Sequence, residues 1–167
     1  MPGCVLNVTG VQFDVDAFVR ESAWRDLAFV FHRGDPTNLR TRPVQERSTL
    51  NIQISHSGED RLEPQIRDAT EFLQQERQEI GRLRSFPGVE CLELRIGVFW
   101  WRDTLCQFHS FPTEFLRVAG ELGVAVVLCV YGASGNEPQA EPDAPPNGGP
   151  ALPVGDPGVT EGPPSVS

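Results

Sequence analysis

Three histidines are the side chains whose type best suits acid–base or metal chemistry: His32, His56 and His109. An imidazole acts as a base or a metal ligand when another group, commonly a carboxylate, orients it. Each histidine ends a predicted strand, so the three could meet at one edge of a sheet. They lack the HxxxH and HExxH spacings of helical metal sites, and we expect neither a metal nor a cofactor.

An enzymatic site remains the alternative to a binding function. It would use His56 or His109 as a base, oriented by Glu59, Asp60 or Asp35. The chain has no Gly-x-Ser-x-Gly nucleophile elbow and no phosphate-binding loop. Its four cysteines show no CxxC spacing, and because they fall in predicted strands we interpret them as buried thiols. These features favour a protein that is not an enzyme.

A group of arginines is a second candidate for ligand chemistry. Arg33, Arg40, Arg42 and Arg47 lie on one predicted loop, where they could hold an anion through bidentate contacts. The alternative is a solvated loop whose charges are balanced by neighbouring acids.

The leading candidate for a binding site is the aromatic pair Phe99 and Trp101, on a strand predicted over 89–101. Alternation along this strand places apolar residues on one side and both aromatic residues on the polar side. Exposed aromatic side chains in a polar setting are typical of protein interfaces. The alternative is that the strand twists here, or that the arginine loop folds over both rings. The predicted binding site comprises Phe99, Trp101, Arg95, Glu93 and His109.

The elements that position these residues follow from hydrophobic period and from turn signals. Asp14 or Asp16 can cap a short helix that contains Phe18, Val19 and Trp24. An apolar stripe predicts a long helix over 59–84, beginning near residues 61–63 because Pro64 fits only the first turn. Another helix follows Pro112 and ends at Gly123. Strands are predicted over 4–9, 27–32, 49–55, 89–101, 105–109 and 124–131.

The order β-α-β-β-α-β-β-α-β predicts an α+β fold with a mixed, largely antiparallel sheet and helices on one face. The strand over 124–131 is apolar at nearly every position, which predicts that both its faces are covered or that it lies mid-sheet. Polar residues on the other strands would gather on an open sheet face: Asn7, Thr9, Asn51, Gln53, Ser55, Glu93, Arg95, Gln107 and His109.

Composition separates a domain over 1–132 from a tail over 133–167. The tail holds 9 of the 15 prolines and five acids without a base, so we expect it to be disordered. The net charge is −9, of which the domain contributes −4, and a negative surface argues against nucleic acid as a partner. No segment is long and apolar enough for a membrane span, and the N-terminus does not look like a signal peptide, so we expect a cytoplasmic protein.

A family resemblance rests on turn, strand and helix segments spread over most of the domain: 11–18, 33–36, 50–55, 65–73, 86–90, 111–123 and 130–132. Together these segments resemble an uncharacterised bacterial family, a domain of unknown function. The resemblance implies a fold but no activity and no catalytic residues. In its size, its acidity and the style of its fold, the chain is also similar to small bacterial immunity proteins, which neutralise toxins by binding them.

Three hypotheses follow. The first is a non-enzymatic protein-binding domain, with neutralisation of a basic toxin as its most concrete version. The second is self-assembly, in which the same face forms a two-fold homodimer. The third is the enzyme with a site at a sheet edge.

Overall fold

The structure is a computed structural model that describes residues 3–39, 41–58, 61–100 and 105–132. The predicted tail, 133–167, and Trp101 lie outside the described residues. A short 3-10 turn, Arg25–Leu27, precedes the second strand. The elements are β1 (Cys4–Gly10), α1 (Val15–Arg20), β2 (Ala28–Phe31), β3 (Pro36–Leu39), β4 (Arg42–Val44), β5 (Ser48–Ser55), α2 (Leu62–Gln75), α3 (Arg77–Arg84), β6 (Cys91–Trp100), α4 (Thr113–Leu122) and β7 (Ala125–Gly132).

The fold is α+β, as the sequence predicts, and its main sheet has five strands in the order β2-β5-β1-β6-β7. All neighbours in this sheet are antiparallel except β6 and β7, which run parallel. Parallel neighbours need a crossover connection, and α4 supplies it. The predicted arginine loop contains a separate hairpin of β3 and β4.

One face of the sheet forms the core with the helices. Alternate residues of the central strands point to this face, and their side chains are buried against the apolar stripes of the helices. The strand side chains include Leu6, Val8, Leu50, Ile52, Leu94 and Ile96, and the helix side chains include Phe18, Ile66, Leu73, Ile80 and Phe115.

Helix ends largely follow the predicted signals. Asp14 caps α1, because its Oδ1 accepts a hydrogen bond from the backbone N–H of Ala17 at 2.9 Å. Gly123 ends α4 in the left-handed conformation, with φ of 67°. Trp24, expected inside the first helix, instead follows it in a turn. The predicted long helix is divided at Glu76 into α2 and α3.

The strand predicted over 105–109 is wrong, since residues 105–110 form no regular element. The physical reason lies in β6, whose two edges are already occupied by β1 and β7. A chain returning from β6 therefore finds no free edge beside it. As a result, Gln107 and His109 lie in a connection and not on a strand of the sheet.

Ser55 also departs from the predicted pattern. The pairing of β1 with β5 shifts between Cys4 and Val5, so that Ser55 faces Cys4 and Ile54 is the extra residue. This shift turns Ser55 towards the helices, where its hydroxyl donates a hydrogen bond to Oδ2 of Asp68 on α2. Ser55 is consequently buried and absent from the opposite face.

The position of β7 was predicted incorrectly. The strand lies at the edge of the sheet, with β6 as its only neighbour among the described residues. Its Val126 and Leu128 pack against the core. On the other face, Val127 and Cys129 border open space. Within the described ranges, this eight-residue apolar strand therefore has one neighbouring strand and one face packed against the core.

Candidate functional site: the open face of the sheet

The sheet face opposite the helices, here called the open face, is not covered by any described helix. It contains a shallow concavity of about 930 Å³ between its two edge strands, β2 and β7. Such concave surfaces with aromatic and polar linings are the usual places for ligand or partner binding. The residues that line the concavity are Val5, Phe29, Phe31, Asn51, Gln53, His56, Glu93, Arg95, Gly97, Val127, Cys129 and Tyr131.

The centre of the open face is polar, and its groups bond to one another. Asn7 of β1 stands between Asn51 of β5 and Glu93 of β6 in the strand register. Its Nδ2 donates a hydrogen bond to Oδ1 of Asn51 at 2.7 Å. Gln53 donates from Nε2 to the backbone carbonyl of Cys4 at 3.2 Å. These bonds hold the polar side chains in place, because buried or half-buried polar groups are costly unless they are paired.

Glu93 and Arg95 form the charged part of the face. Arg95 Nε donates to Oε2 of Glu93 at 3.0 Å, and the thiol of Cys91 donates to Oε1 at 3.0 Å. The hydrogen bond from Cys91, with that from Arg95, holds the pKa of Glu93 below its ordinary value despite partial burial. Burial, followed by this bond to Glu93, raises the pKa of Cys91. The predicted site residues Glu93 and Arg95 thus lie side by side as an ion pair.

Two phenylalanines on β2 are the most exposed of the described aromatic residues on the open face. Phe29 is 62% exposed and Phe31 is 42% exposed, while Ala28 and Val30, which alternate with them along the strand, pack towards the core. The exposure arises because β2 is an edge strand, with β5 as its only neighbour among the strands that the structure describes. Neither residue was among the site residues predicted from the sequence. The signal that could have found them is the spacing of two large aromatic residues at i and i+2 beside the smaller Ala28 and Val30.

The predicted candidate Phe99 is half-buried near the end of β6, in register with Tyr131 of β7. The chain after β6 closes against this end, because Gln107 Nε2 donates to the carbonyl of Phe99 at 3.1 Å. His109 is half-buried in the same connection. Of the five predicted site residues, the structure brings Glu93, Arg95 and Phe99 onto one strand and leaves His109 outside the sheet.

The hairpin of β3 and β4 borders the opposite end of the open face. A second concavity of about 560 Å³ separates it from Thr9 and Thr49. The arginine loop therefore does not fold over Phe99, which lies at the far end of β6. Arg47 in this concavity pairs with Glu90. Arg40 and the side chain of Arg42 lie outside the described residues, so the anion-binding alternative stays a prediction.

The three histidines do not converge in the way that a shared site requires. His32 Nε2 lies 3.0 Å from Oδ2 of Asp16, and its Nδ1 lies 3.3 Å from Oδ2 of Asp35. The hydrogen bond to Asp16 is the main cause that raises the pKa of His32. His56 lines the concavity of the open face instead. The proposed carboxylate partners of His56, Glu59 and Asp60, lie outside the described residues.

The chain matches no protein-family model, and no curated protein or solved structure is significantly similar to it. The resemblances named above therefore stay predictions. No helix in the described ranges is long and apolar enough to cross a bilayer. The same ranges contain no group of three or more His, Cys, Asp or Glu residues arranged to hold a metal ion.

Proposed function

We propose that the protein is a non-enzymatic binding protein that recognises a partner protein through the open face of its sheet. One observation carries the proposal: Phe29 and Phe31 are exposed side by side at the border of a concavity that no described helix covers. Neighbouring exposed aromatic residues are costly to keep in water and are enriched in protein interfaces. We infer that these two rings are the anchors of the interface.

The polar centre of the face supports the same proposal. Interfaces combine a few buried anchors with polar groups that are already oriented and hydrogen-bonded. The pair of Asn7 and Asn51 and the pair of Glu93 and Arg95 are such groups. A partner would not need to reorganise them, and little conformational entropy would be lost on binding.

We expect the negative charge of the chain to attract the partner at long range and to contribute little to the contacts within the interface. On the open face, Glu93 is balanced by Arg95, and Arg47 by Glu90. The whole chain nevertheless carries −9, which attracts a basic partner before contact. Neutralisation of a toxin by occlusion is the most concrete version of this function. It is supported by the acidity of the chain, and it agrees with the resemblance to immunity proteins predicted from the sequence.

We infer a cytoplasmic location as part of this proposal. All four cysteines are free thiols, and Cys106 is exposed. Exposed free thiols persist in reducing compartments. The net negative charge disfavours nucleic acid as the partner.

The enzymatic alternative has one observation in its favour, the imidazole of His32 held between Asp16 and Asp35. This group is half-exposed and lines neither concavity of the open face. A general base needs a substrate pocket beside it, so we rank a binding function first.

The test is affinity capture from a lysate of the source organism with four versions of the full chain: the wild type, Phe29→Ala with Phe31→Ala, Phe99→Ala, and Phe108→Ala. Phe108 is the matched control, because it is exposed in the 105–110 connection and does not line the concavity. We expect a protein that is retained by the wild type and by Phe108→Ala but lost from the double variant.

Binding of that protein is then measured with purified components. Loss of two anchors should weaken the complex by about a hundredfold or more. Phe99→Ala tests the original candidate, and as a half-buried residue it should have the smaller effect. Equal retention of every captured protein by all four versions would exclude the open face as the binding surface.

A further inference from the structure

The outer edge of β2 lies beside the two exposed phenylalanines of the open face, and the register of the sheet shows which backbone groups point outwards from it. The amide of Gly97 donates to the carbonyl of Gly3 at 2.8 Å, so these residues are a hydrogen-bonded pair in line with β6 and β1. Hydrogen-bonded and non-hydrogen-bonded pairs alternate along antiparallel strands, and this alternation can be followed through β1 and β5 to β2. The backbone groups of both phenylalanines consequently point towards β5, and those of Ala28 and Val30 point towards the outer edge.

The turn after β2 agrees with this alternation. His32 is the next residue whose backbone groups point outwards, and both are bonded within the turn. Its N–H donates to Oδ2 of Asp35 at 2.7 Å, and its carbonyl accepts from the amide of Asp35 at 3.1 Å. Ala28 and Val30, by contrast, have no backbone hydrogen bond at the outer edge to any residue that the structure describes. Each presents an N–H and a C=O that an added strand can match.

From this arrangement we infer that the partner protein binds by laying an extended segment along the outer edge of β2, as an added strand of the sheet. The inference deepens the proposed function and rests on it, because the segment belongs to the same partner. Pairing with only two residues is too weak to hold a strand by itself, and short edge strands normally stay unpaired in monomers. The rings of Phe29 and Phe31 supply the rest of the contact, since they are exposed beside this edge.

The neighbours of the edge determine the chemistry of the segment. Alternate residues of an added strand point to the open face, where they lie next to Phe29 and Phe31 at the short distances of cross-strand pairs. We therefore expect apolar or aromatic side chains at two alternate positions of the segment. This spacing distinguishes a strand from a helix, whose contacts recur at i, i+3 and i+4. A helix also has no free backbone donors along its length to pair with Ala28 and Val30.

Charge favours a basic partner over a second copy of this chain as the source of the strand. The chain carries −9, so two copies repel each other, whereas a basic protein is attracted. The charges beside the two ends of β2 are mixed, because Arg25 and Asp26 precede the strand and Arg33 and Asp35 follow it. Neither end therefore excludes lysine or arginine residues that flank the apolar positions of the segment.

The test begins with a displayed library of short random peptides, selected on the full wild-type chain. We expect the selected peptides to carry apolar residues at alternate positions together with lysine or arginine, and to lose binding to the double variant Phe29→Ala with Phe31→Ala. One selected peptide is then synthesised in two forms, each methylated on alternate backbone nitrogens. Only the form whose methyl groups face β2 should bind more weakly, by about tenfold or more, because only those N–H groups donate to the outer carbonyls of Ala28 and Val30.

The same contact is tested from the protein side with Val30→Pro, which removes an outward N–H, and with Val30→Ala, the matched control that keeps it. Proline suits this position because the N–H of Val30 takes no part in the pairing of β2 with β5. Val30→Pro should bind the peptide about tenfold more weakly than Val30→Ala does. Circular dichroism checks that both variants fold, and the methylated peptides test the contact without any change to the protein.

Equal binding by the two methylated forms would overturn the inference, and so would selected peptides with helical spacing or the absence of any peptide that depends on both phenylalanines. Sedimentation velocity of the wild type tests the other occupant: a dimer that is lost in Val30→Pro would assign the edge to a second copy. These failures leave the proposed function standing if a captured protein is still lost from the double variant. Peptide binding as expected, with no captured protein lost from that variant, would support the strand-binding edge and count against the proposed function.

Discussion

The guanidinium of Arg82 stacks over the ring of Phe18, with the guanidinium carbon 4.1 Å from the ring centroid. The same side chain holds Glu79 through two hydrogen bonds, Nε to Oε2 at 2.8 Å and Nη2 to Oε1 at 2.7 Å. The hydrogen bonds from Arg82, and to a smaller extent the one from Ser22, hold the pKa of Glu79 below its ordinary value. This arrangement ties α3 to α1 and to the turn that follows α1.

Replacement of Arg82 by Met should therefore lower the free energy of unfolding by about 2 kcal/mol, because the cation–π contact and a bidentate charged pair are both lost. Arg117→Met is the matched control. Arg117 is exposed and pairs with Glu121 on its own helix, an arrangement worth about 0.5 kcal/mol or less. Urea unfolding followed by circular dichroism measures both changes. Equal losses in the two variants would contradict the role of the Phe18 contact.

The contacts of the His32 imidazole lead us to expect that the free energy of unfolding depends on pH. Its hydrogen bond to Asp16, then the charge of Asp16 and the contact with Asp35, raises the pKa of His32 above the ordinary 6.5. A raised pKa in the folded state means that protonation favours folding. This stabilisation is fully present below the unfolded pKa and is lost as the pH rises through the folded pKa.

The stability difference between the wild type and His32→Gln should therefore be larger at about pH 5 than at about pH 8.5. The side chain is half-exposed, so solvent screening keeps the effect small. His56→Gln serves as the control, since His56 is exposed and lies away from Asp16 and Asp35. Thermal unfolding at the two pH values checks the prediction, and a pH-independent difference for His32→Gln would refute it.

The parts of the fold that could be predicted from the sequence are those that depend on residues close together in the chain. Alternation along β1, β5 and β6 depends on two-residue periodicity, and the ends of α1 and α4 depend on Asp14 and Gly123. These signals involve residues a few positions apart, and the structure confirms them. They placed Glu93 and Arg95 correctly on the face opposite the helices.

Three errors of the prediction arise where strands that are far apart in the sequence become neighbours in the sheet. Residues 105–109 have a plausible strand pattern, but β6 has no free edge to receive them. Ser55 follows the alternation of β5 until the shift opposite Cys4 and Val5 reverses its direction. The i and i+2 spacing of Phe29 and Phe31 was not sufficient to assign them to the exposed face, because β2 is apolar on both faces and their exposure depends on its position at the edge. Each of these three errors concerns pairing across the sheet, which local patterns do not encode.

The four cysteines should differ strongly in reactivity. Cys4 is fully buried, and burial, with the charge of Asp68 as a smaller cause, raises its pKa to about 12. The thiolate is the reactive form, so Cys4 should not react with a maleimide at about pH 8 while the protein is folded. Cys106 is exposed and should react first. Mass spectrometry of labelled peptides measures the order.

Denaturant supplies the control for this experiment, because unfolding should make the two thiols react at similar rates. Native labelling of Cys4 as fast as Cys106 would show that the strand end near Cys4 opens without global unfolding. Cys129 lines the open-face concavity and should react more slowly than Cys106.

Substitution by alanine should change the free energy of unfolding in opposite directions at Gly81, within α3, and at Gly123, at the end of α4. Gly81 lies within α3, and an added Cβ there would meet no atom within 4 Å. Gly81→Ala should therefore raise the free energy of unfolding by about 1 kcal/mol, because alanine loses less backbone entropy in a helix. Gly123 has φ of 67°, and an added Cβ would lie 2.5 Å from the guanidinium of Arg84.

Gly123→Ala should lower the free energy of unfolding by about 1 kcal/mol, since alanine in the left-handed region is strained. The double variant Gly123→Ala with Arg84→Ala separates the two causes. If the backbone dominates, removal of Arg84 restores little of the loss, because a flexible arginine can move away from the new methyl group. Recovery of most of the stability would instead assign the loss to the clash with Arg84. Chemical denaturation of the four chains measures both effects.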